Sequence, residues 1–312
     1  MRILVTGGAG FIGSNTADAL VATGKHQVAV LDDLSAGKRE QVNSAARFYH
    51  ADLRDGARVT EVIEREKPEV IFHLAAQMDV RRSVASPAFD AEVNLVGFLN
   101  LMEAGRRNGL ARVIFSSTGG AIYGEQERFP CDEDHPCRPV SPYGVAKFAT
   151  ERYLFFYQVQ YGIPYLALRY ANVYGPRQDP HGEAGVVAIF CGRLLAAQPA
   201  TIFGDGEQTR DYIFVGDVVR ANLAALERGK VGAINVGTGV ETSVNRLYTE
   251  LAEVAGVNQR PTYAPARAGE QQRSVISPQR ARRELDWQPQ VSLRDGLAQT
   301  LRFFRETAGR GA

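Results

Sequence analysis

The chain has 312 residues, which suits one large domain or two moderate ones. Its 36 Lys and Arg against 35 Asp and Glu leave a net charge of +1, so nothing electrostatic points to nucleic acid or to an anionic membrane surface. Cys131, Cys137 and Cys191 are few cysteines for such a length and suit a reducing compartment.

In chain order, RILVT (2–6) predicts a strand and FIGSNTADALVATG (11–24) a helix ending at Gly24. QVAVLD (27–32) and RFYHAD (47–52) predict strands, Asp55 to Glu66 a helix stopped before Pro68, and VIFHLAA (70–76) a strand. Phe89 to Asn108 is expected as one long helix, RVIFSS (112–117) as a strand, Tyr143 to Tyr161 as a second long helix, and YLALRY (165–170) as a strand. Strands alternating with helices argue for a parallel sheet covered on both faces, a Rossmann-type doubly wound α/β fold. After Tyr170 the pattern loosens. A helix at about 186–197 and short strands such as TIFG (201–204) and AINVG (233–237) suggest a smaller α/β C-terminal substrate lobe. The expected division is 1–172 for a dinucleotide-binding domain and 173–312 mainly for a substrate lobe, with the chain returning to the sheet around 213–236. No apolar run approaches the roughly 20 residues of a spanning helix. The N-terminus carries no signal-like h-region, so a cytoplasmic protein with no membrane and no nucleic-acid partner is expected.

TGGAGFIG (6–13) lies between the first strand and the first helix. Its glycines, Gly7, Gly8, Gly10 and Gly13, permit a tight turn and a close approach of the backbone to a pyrophosphate, and the helix N-terminus adds free N–H groups. Asp32 ends the second strand, near the spacing expected of a ribose-binding carboxylate. Asp33 follows it and no arginine does, which favours NAD over NADP. Asp52 and Leu53, ending the third strand, are candidates to hold the adenine. In SPYGVAKFATERY (141–153), Tyr143 and Lys147 are four apart and share a helix face. A neighbouring ammonium and a nicotinamide cation would favour the phenolate and make Tyr143 a usable base. Cys131, His135 and Cys137 match no common zinc spacing, so no metal is expected.

Together TGGAGFIG, the strand ending SST (116–118) and YGVAK (143–147) resemble the extended short-chain dehydrogenase/reductase family, and within it the bacterial and archaeal UDP-glucose 4-epimerase group. HLAAQ (73–77), NLVG (94–97), LRYANVYGPRQ (168–178), FGDGEQTRDYIFVGDV (203–218), NVGTG (235–239) and PARAGE (265–270) extend the similarity along essentially the whole chain. The resemblance implies bound NAD, touched by Gly7, Gly10, Phe11, Ile12, Gly13, Asp32, Asp52, Leu53, Leu74, Ala75, Ala76, Tyr143, Lys147 and Tyr170. It implies a UDP-hexose substrate held by Asn172, Arg210, Arg267 and Glu270. Ser274, where strict glucose/galactose enzymes tend to carry Tyr, leaves volume beside C2, so N-acetylated UDP-hexosamines are expected to fit. Family members that remove water or carbon dioxide place carboxylates beside the catalytic hydroxyl. Here Thr118-Gly119-Gly120 has none, so hydride is expected to return to the other face of C4. Tyr143 would take the 4-OH proton, Lys147 would hold the ribose, and Thr118 would hydrogen-bond the reacting oxygen. Ser117 rivals Thr118, and in a strand only one of the two can face the site. The reading takes Thr118. Alternatives are another UDP-sugar, such as a uronate or pentose, and a non-catalytic sensor on the same fold. The long helices 89–108 and 141–161, with Phe155, Phe156 and Tyr157, are expected to form a homodimer interface. Arg81, Arg82 and the run 280–283 read as ordinary surface.

Overall fold

The structure, a computed structural model, describes residues 1–180, 185–266 and 271–308. Its order is β1 (Arg2–Thr6), α1 (Phe11–Ala22), β2 (Gln27–Asp32), β3 (Arg47–His50), α2 (Gly56–Glu66), β4 (Val70–His73), α3 (Val80–Ala85), α4 (Pro87–Ala91), a π-helical turn (Glu92–Val96), α5 (Gly97–Arg107), β5 (Arg112–Thr118), α6 (Pro142–Tyr161) and β6 (Tyr165–Tyr170). There follow β7 (Asn172–Tyr174), α7 (Val186–Leu195), β8 (Thr201–Phe203), β9 (Thr209–Arg210), β10 (Tyr212–Phe214), α8 (Val215–Arg228), β11 (Gly232–Val236), β12 (Thr242–Ser243), α9 (Val244–Ala255), β13 (Thr262–Ala264), β14 (Arg273–Ser274), α10 (Gln279–Leu285) and α11 (Leu293–Ala308).

Seven strands form one parallel sheet in the order β11-β6-β5-β4-β1-β2-β3. The order reverses between β1 and β4, and that switch point opens a crevice at the carboxyl ends of the strands. The central strands are largely apolar because both faces are covered. Ile3, Val5, Val30 and Leu168 pack with Leu20 of α1 and Val218 and Ala221 of α8. The alternate residues Leu4, Leu31, Ile71 and Phe115 pack with Ile63 of α2, Phe98 of α5 and Leu154 of α6. Each such large side chain taken fully from water contributes about 1.5–3 kcal/mol. A further core joins α7, α9 and α11 to β8 and β10.

Local chemistry sets the helix ends that matter most. The Asp55 side chain accepts from Arg58 N and caps α2, which closes at Lys67 before Pro68. Ser141 accepts from Gly144 N, Pro142 occupies the first turn of α6, and Gly162 ends that helix in the left-handed region.

Three expectations are refined. The helix predicted over 89–108 runs without interruption from Pro87 to Arg107, but carries a π turn that directs Asn94 inward, where its amide bonds the Gln77 backbone in both directions. The strand predicted over 70–76 ends at His73, after which the chain bends to meet Gly7. Of the stretch 213–236 only β11 joins the main sheet, beside β6, while β10 pairs with β7.

Beneath the ends of β5 and β6 lies a buried ionic cluster. Arg169 donates to Glu151 through Nε (3.0 Å) and Nη2 (2.7 Å), and to the Tyr123 hydroxyl at 2.9 Å. Tyr123 donates in turn to Asn235 of β11 at 2.6 Å. Removing one member leaves an unpaired buried charge. Arg169→Met is therefore expected to lower the stability by about 3–5 kcal/mol, read as a fall in the urea midpoint. A loss below about 1 kcal/mol, the level of an exposed ion pair, would refute that role for the cluster.

Candidate active site

The glycine turn is made by close backbone approaches. Gly7 has φ +70°, and a Cβ on it would lie 2.6 Å from Ala75 N. A Cβ on Gly13 would lie 2.0 Å from Gly7 O, so α1 can start this close to β1 only without one. At Gly10 the space is more open, with Gly7 O alone nearby at 3.3 Å. No side chain caps α1, and no acid occupies its first turn, so its N–H groups and dipole are left for an anion. Phe11 and Ile12 are half-buried there.

Asp32 is buried, and its two oxygens accept from Ala9 N (2.9 Å) and Leu34 N (2.8 Å). Burial raises its pKa, against the opposing pull of those N–H bonds. Each oxygen keeps a further lone pair, enough to receive ribose hydroxyls. Asp52 is half-buried and chelates Arg54 at 2.6 Å and 3.0 Å, which holds its carboxyl below the usual range. Leu53 is buried beneath Gly97. Leu74, Ala75 and Ala76 are half-buried beyond β4. Their path is fixed by Thr6, whose hydroxyl accepts from Ala75 N at 3.3 Å and bonds His73 Nδ1 at 2.8 Å. Burial, then the Lys147 charge, drives His73 down to about 3, so its imidazole stays neutral.

Thr118 and Ser117 separate as strand geometry requires. The Ser117 hydroxyl is buried and donates to Glu151 Oε1 at 2.6 Å. Thr118, half-buried, turns the other way, with its hydroxyl accepting from Ala121 N at 3.2 Å. A Cβ on Gly120 would be 3.9 Å from that hydroxyl and 3.8 Å from Asn172 Oδ1, which places Asn172 beside Thr118. A Cβ on Gly119 would be 2.6 Å from Ile276 Cδ1, so no side chain fits there unless Ile276 moves.

Lys147 is buried. Its Nζ donates to Ser116 O at 2.8 Å and lies 5.8 Å from the centre of the Tyr143 ring. Burial pulls Lys147 down to about 8, while Asp90 and Glu151 push it up. In the protein without cofactor, burial, aided by Asp90, raises the Tyr143 pKa. Tyr170 is buried; its hydroxyl bonds Asn222 at 2.6 Å and its carbonyl accepts from Gly119 N.

In the second lobe Arg210 and Ser274 pair in register across β9 and β14. Arg210 is half-buried and donates to Thr209 O, and Ser274 is buried. Arg267 and Glu270 lie outside the described residues. His135 has both ring nitrogens engaged, with Glu127 N and Pro136 O, and among the described residues no group of His, Cys, Asp or Glu converges on a metal-sized site. Arg280, expected as plain surface, ion-pairs with Asp134 and the buried side chain of Glu133. Sequence reasoning left Gln77, Asp90, Asn94, Glu151 and Arg169 without roles. Signals were present: Arg169 interrupts an apolar strand, and Glu151 falls one helical turn beyond Lys147.

A parallel sheet with a glycine turn at its switch point, and a Tyr-Lys pair on the helix packed beside β5, define a dinucleotide-dependent enzyme class. The chain belongs to the NAD dependent epimerase/dehydratase family, whose sequence model matches residues 3–237. It is 50% identical over 313 residues to the UDP-glucose 4-epimerase of Mycolicibacterium smegmatis, covering 98% of this chain and 99% of that protein. The crystal structure of the Thermotoga maritima UDP-glucose 4-epimerase with UDP-glucose superposes with a TM-score of 0.97 at 50% identity, covering 99% of this chain and 100% of that one. The Thermus thermophilus UDP-glucose 4-epimerase complex with NAD superposes with a TM-score of 0.93 at 47% identity, covering 98% and 99%.

The glycine cradle, the uncapped helix and Asp32 fit a dinucleotide. Gly13→Ala must push the turn apart, and is expected to yield protein that retains less than about a tenth of the parent's NAD, a loss of ~1.4 kcal/mol or more in binding, measured in extracts of the denatured protein. Full retention would refute the cradle.

Proposed function

We propose that this protein is an NAD-dependent UDP-glucose/UDP-galactose 4-epimerase, inverting C4 through a transient 4-keto sugar. The observation that supports this reading is the end of β5: Glu151 holds the Ser117 hydroxyl, Thr118 turns the other way, and the two residues after it are glycines with no carboxylate to remove water or carbon dioxide. Bound NAD supplies the hydride acceptor for C4 and gives the hydride back. Tyr143 takes the proton of the 4-OH and returns it to the new 4-oxygen. The cation next to its ring completes what Lys147 alone does not do, and lowers the Tyr143 pKa toward neutrality. Lys147 holds the cofactor ribose, and Thr118 hydrogen-bonds the reacting oxygen. Gly7, Gly10, Gly13, Phe11 and Ile12 cradle the pyrophosphate, Asp32 the ribose, and Asp52, Leu53 and the segment 74–76 the remaining cofactor surface. In this reading residues 1–172 hold the cofactor and 173–312 mainly the nucleotide sugar, with Asn172 and Arg210 toward the diphosphate and sugar. The small Ser274, in register with Arg210, supports acceptance of N-acetylated UDP-hexosamines as well. A cytoplasmic setting suits three unpaired cysteines, and no described helix is long and apolar enough to cross a membrane.

A homodimer through the outer faces of α5 and α6 belongs to the same reading. Phe155 and Phe156 are about half exposed, and Val145, Phe148, Ala149, Tyr153 and Phe156 line an apolar hollow on α6. Tyr157, expected with them, instead turns inward and donates to Glu103.

Proton NMR of UDP-glucose incubated with the purified protein, without added NAD, should show a growing galactose anomeric signal. Thr118→Ala should slow that conversion by about 10²–10³-fold, the effect of losing a donor to a developing oxyanion, and Ser117→Ala by less than about threefold, or ~0.65 kcal/mol in the barrier. A 4-keto-6-deoxy methyl signal would mean dehydration and sink the reading. For the dimer, light scattering of Phe155→Glu/Phe156→Glu protein should give the mass of one chain and the parent twice that; a parent that runs as a single chain would contradict it.

A further inference from the structure

Asp211 lies between β9 and β10 and is 1% exposed. Its side chain reaches the segment that leaves β11. Oδ1 accepts from Thr238 N at 2.9 Å and from the Thr238 hydroxyl at 2.5 Å, and Oδ2 from Gly239 N at 3.1 Å and Ile276 N at 3.4 Å. The approach is so close that a Cβ on Gly237 would lie 2.5 Å from Oδ2. These neutral donors satisfy a buried carboxylate that would otherwise be costly. The backbone of the same residue bonds in other directions. Asp211 O accepts from Asn172 N at 2.8 Å, and Asp211 N donates to Ser274 O at 2.9 Å. Arg210 precedes it in the chain.

We propose that Asp211 is a positioning residue for the nucleotide-sugar pocket: its carboxylate pins the junction of β9 and β10 to the segment after β11, and so sets where Asn172, Arg210 and Ser274 stand relative to the end of β5. The inference rests on the reading of those three as substrate residues. They come from three strands, β7, β9 and β14, and meet at Asp211 through its two backbone bonds and its place beside Arg210. The ladders that contain those strands, β10-β7 and β12-β9-β14, are separate from the seven-stranded sheet that carries Thr118. The Asp211 carboxylate crosses between them, because Thr238 and Gly239 follow β11, a strand of that sheet. Ile276 carries the link further: a Cβ on Gly119, next to Thr118, would lie 2.6 Å from its Cδ1. Asparagine keeps the size of the side chain but offers one acceptor oxygen in place of two, and turns an amide donor on N–H groups. The junction must then shift, and the three residues shift with it.

Calorimetric titration of NAD-loaded protein with UDP reads the pocket without turnover. Asp211→Asn should weaken UDP binding by about tenfold, the scale of a misplaced binding group. Thr238→Val removes only the hydroxyl bond to Oδ1, and should weaken it by about threefold, or ~0.65 kcal/mol. Both variants should keep the NAD content of the parent. With UDP-glucose, KM should rise by a similar factor while kcat changes less. A carboxylate that merely stabilised the fold would lower the urea midpoint of Asp211→Asn and leave the folded protein with the parent's affinity for UDP. That result would overturn the proposal. Thr238→Val keeps every backbone N–H of the cluster, and its UDP affinity decides the matter if Asp211→Asn does not fold. A parent that bound no UDP would instead overturn the nucleotide-sugar reading, and this proposal with it.

Discussion

The Glu151–Arg169 ion pair, sealed under the ends of β5 and β6, is the contact on which the geometry of the site depends. Glu151 Oε1 takes both Arg169 and the Ser117 hydroxyl. Ser117 is thereby anchored behind the strand, and alternation along β5 sends Thr118 to the opposite face. The same glutamate stands one helical turn beyond Lys147, so the pair also sets where α6 lies against the sheet. Through Tyr123 and Asn235 the cluster reaches β11, which ties the second half of the chain to the strand that carries the threonine.

The other fixed end of the site is steric. Gly7 and Gly13 are places where two backbones come nearer than any side chain allows. That closeness starts α1 at the crevice with its N-terminus uncovered. It also brings the 74–76 segment against the turn, where Thr6 and the neutral His73 hold it. Glycine supplies the shape, and Asp32 supplies the acceptor, itself pinned by the N–H groups of the turn it organises.

Between these ends, the Tyr143–Lys147 pair is electrostatically incomplete in the protein alone. Burial works against charge on both groups, in opposite directions of pKa. A cation placed next to the phenol would favour the phenolate.

Much of this was legible in the sequence, for a physical reason in each case. Short continuous apolar runs marked the central strands and helical spacing most helices, because a doubly covered sheet buries both faces of its strands. The glycine turn, Asp32, Tyr143 and Lys147 were legible because their spacing is local and their geometry is imposed by one strand-turn-helix unit. What only the tertiary structure decided came from residues far apart in the chain. Ser117 and Thr118 look alike as letters, and Glu151 and Arg169 separate them from 34 and 52 positions away. The π turn at 92–96 exists because Asn94 must reach Gln77, which no helical period encodes. The burial of Tyr143 was not readable either, because spacing gives a neighbour's charge but not the desolvation that opposes it. Tyr170 shows the same limit: its identity was readable, but the partner that holds its hydroxyl, Asn222, lies on a helix the chain adds 45 residues after β6.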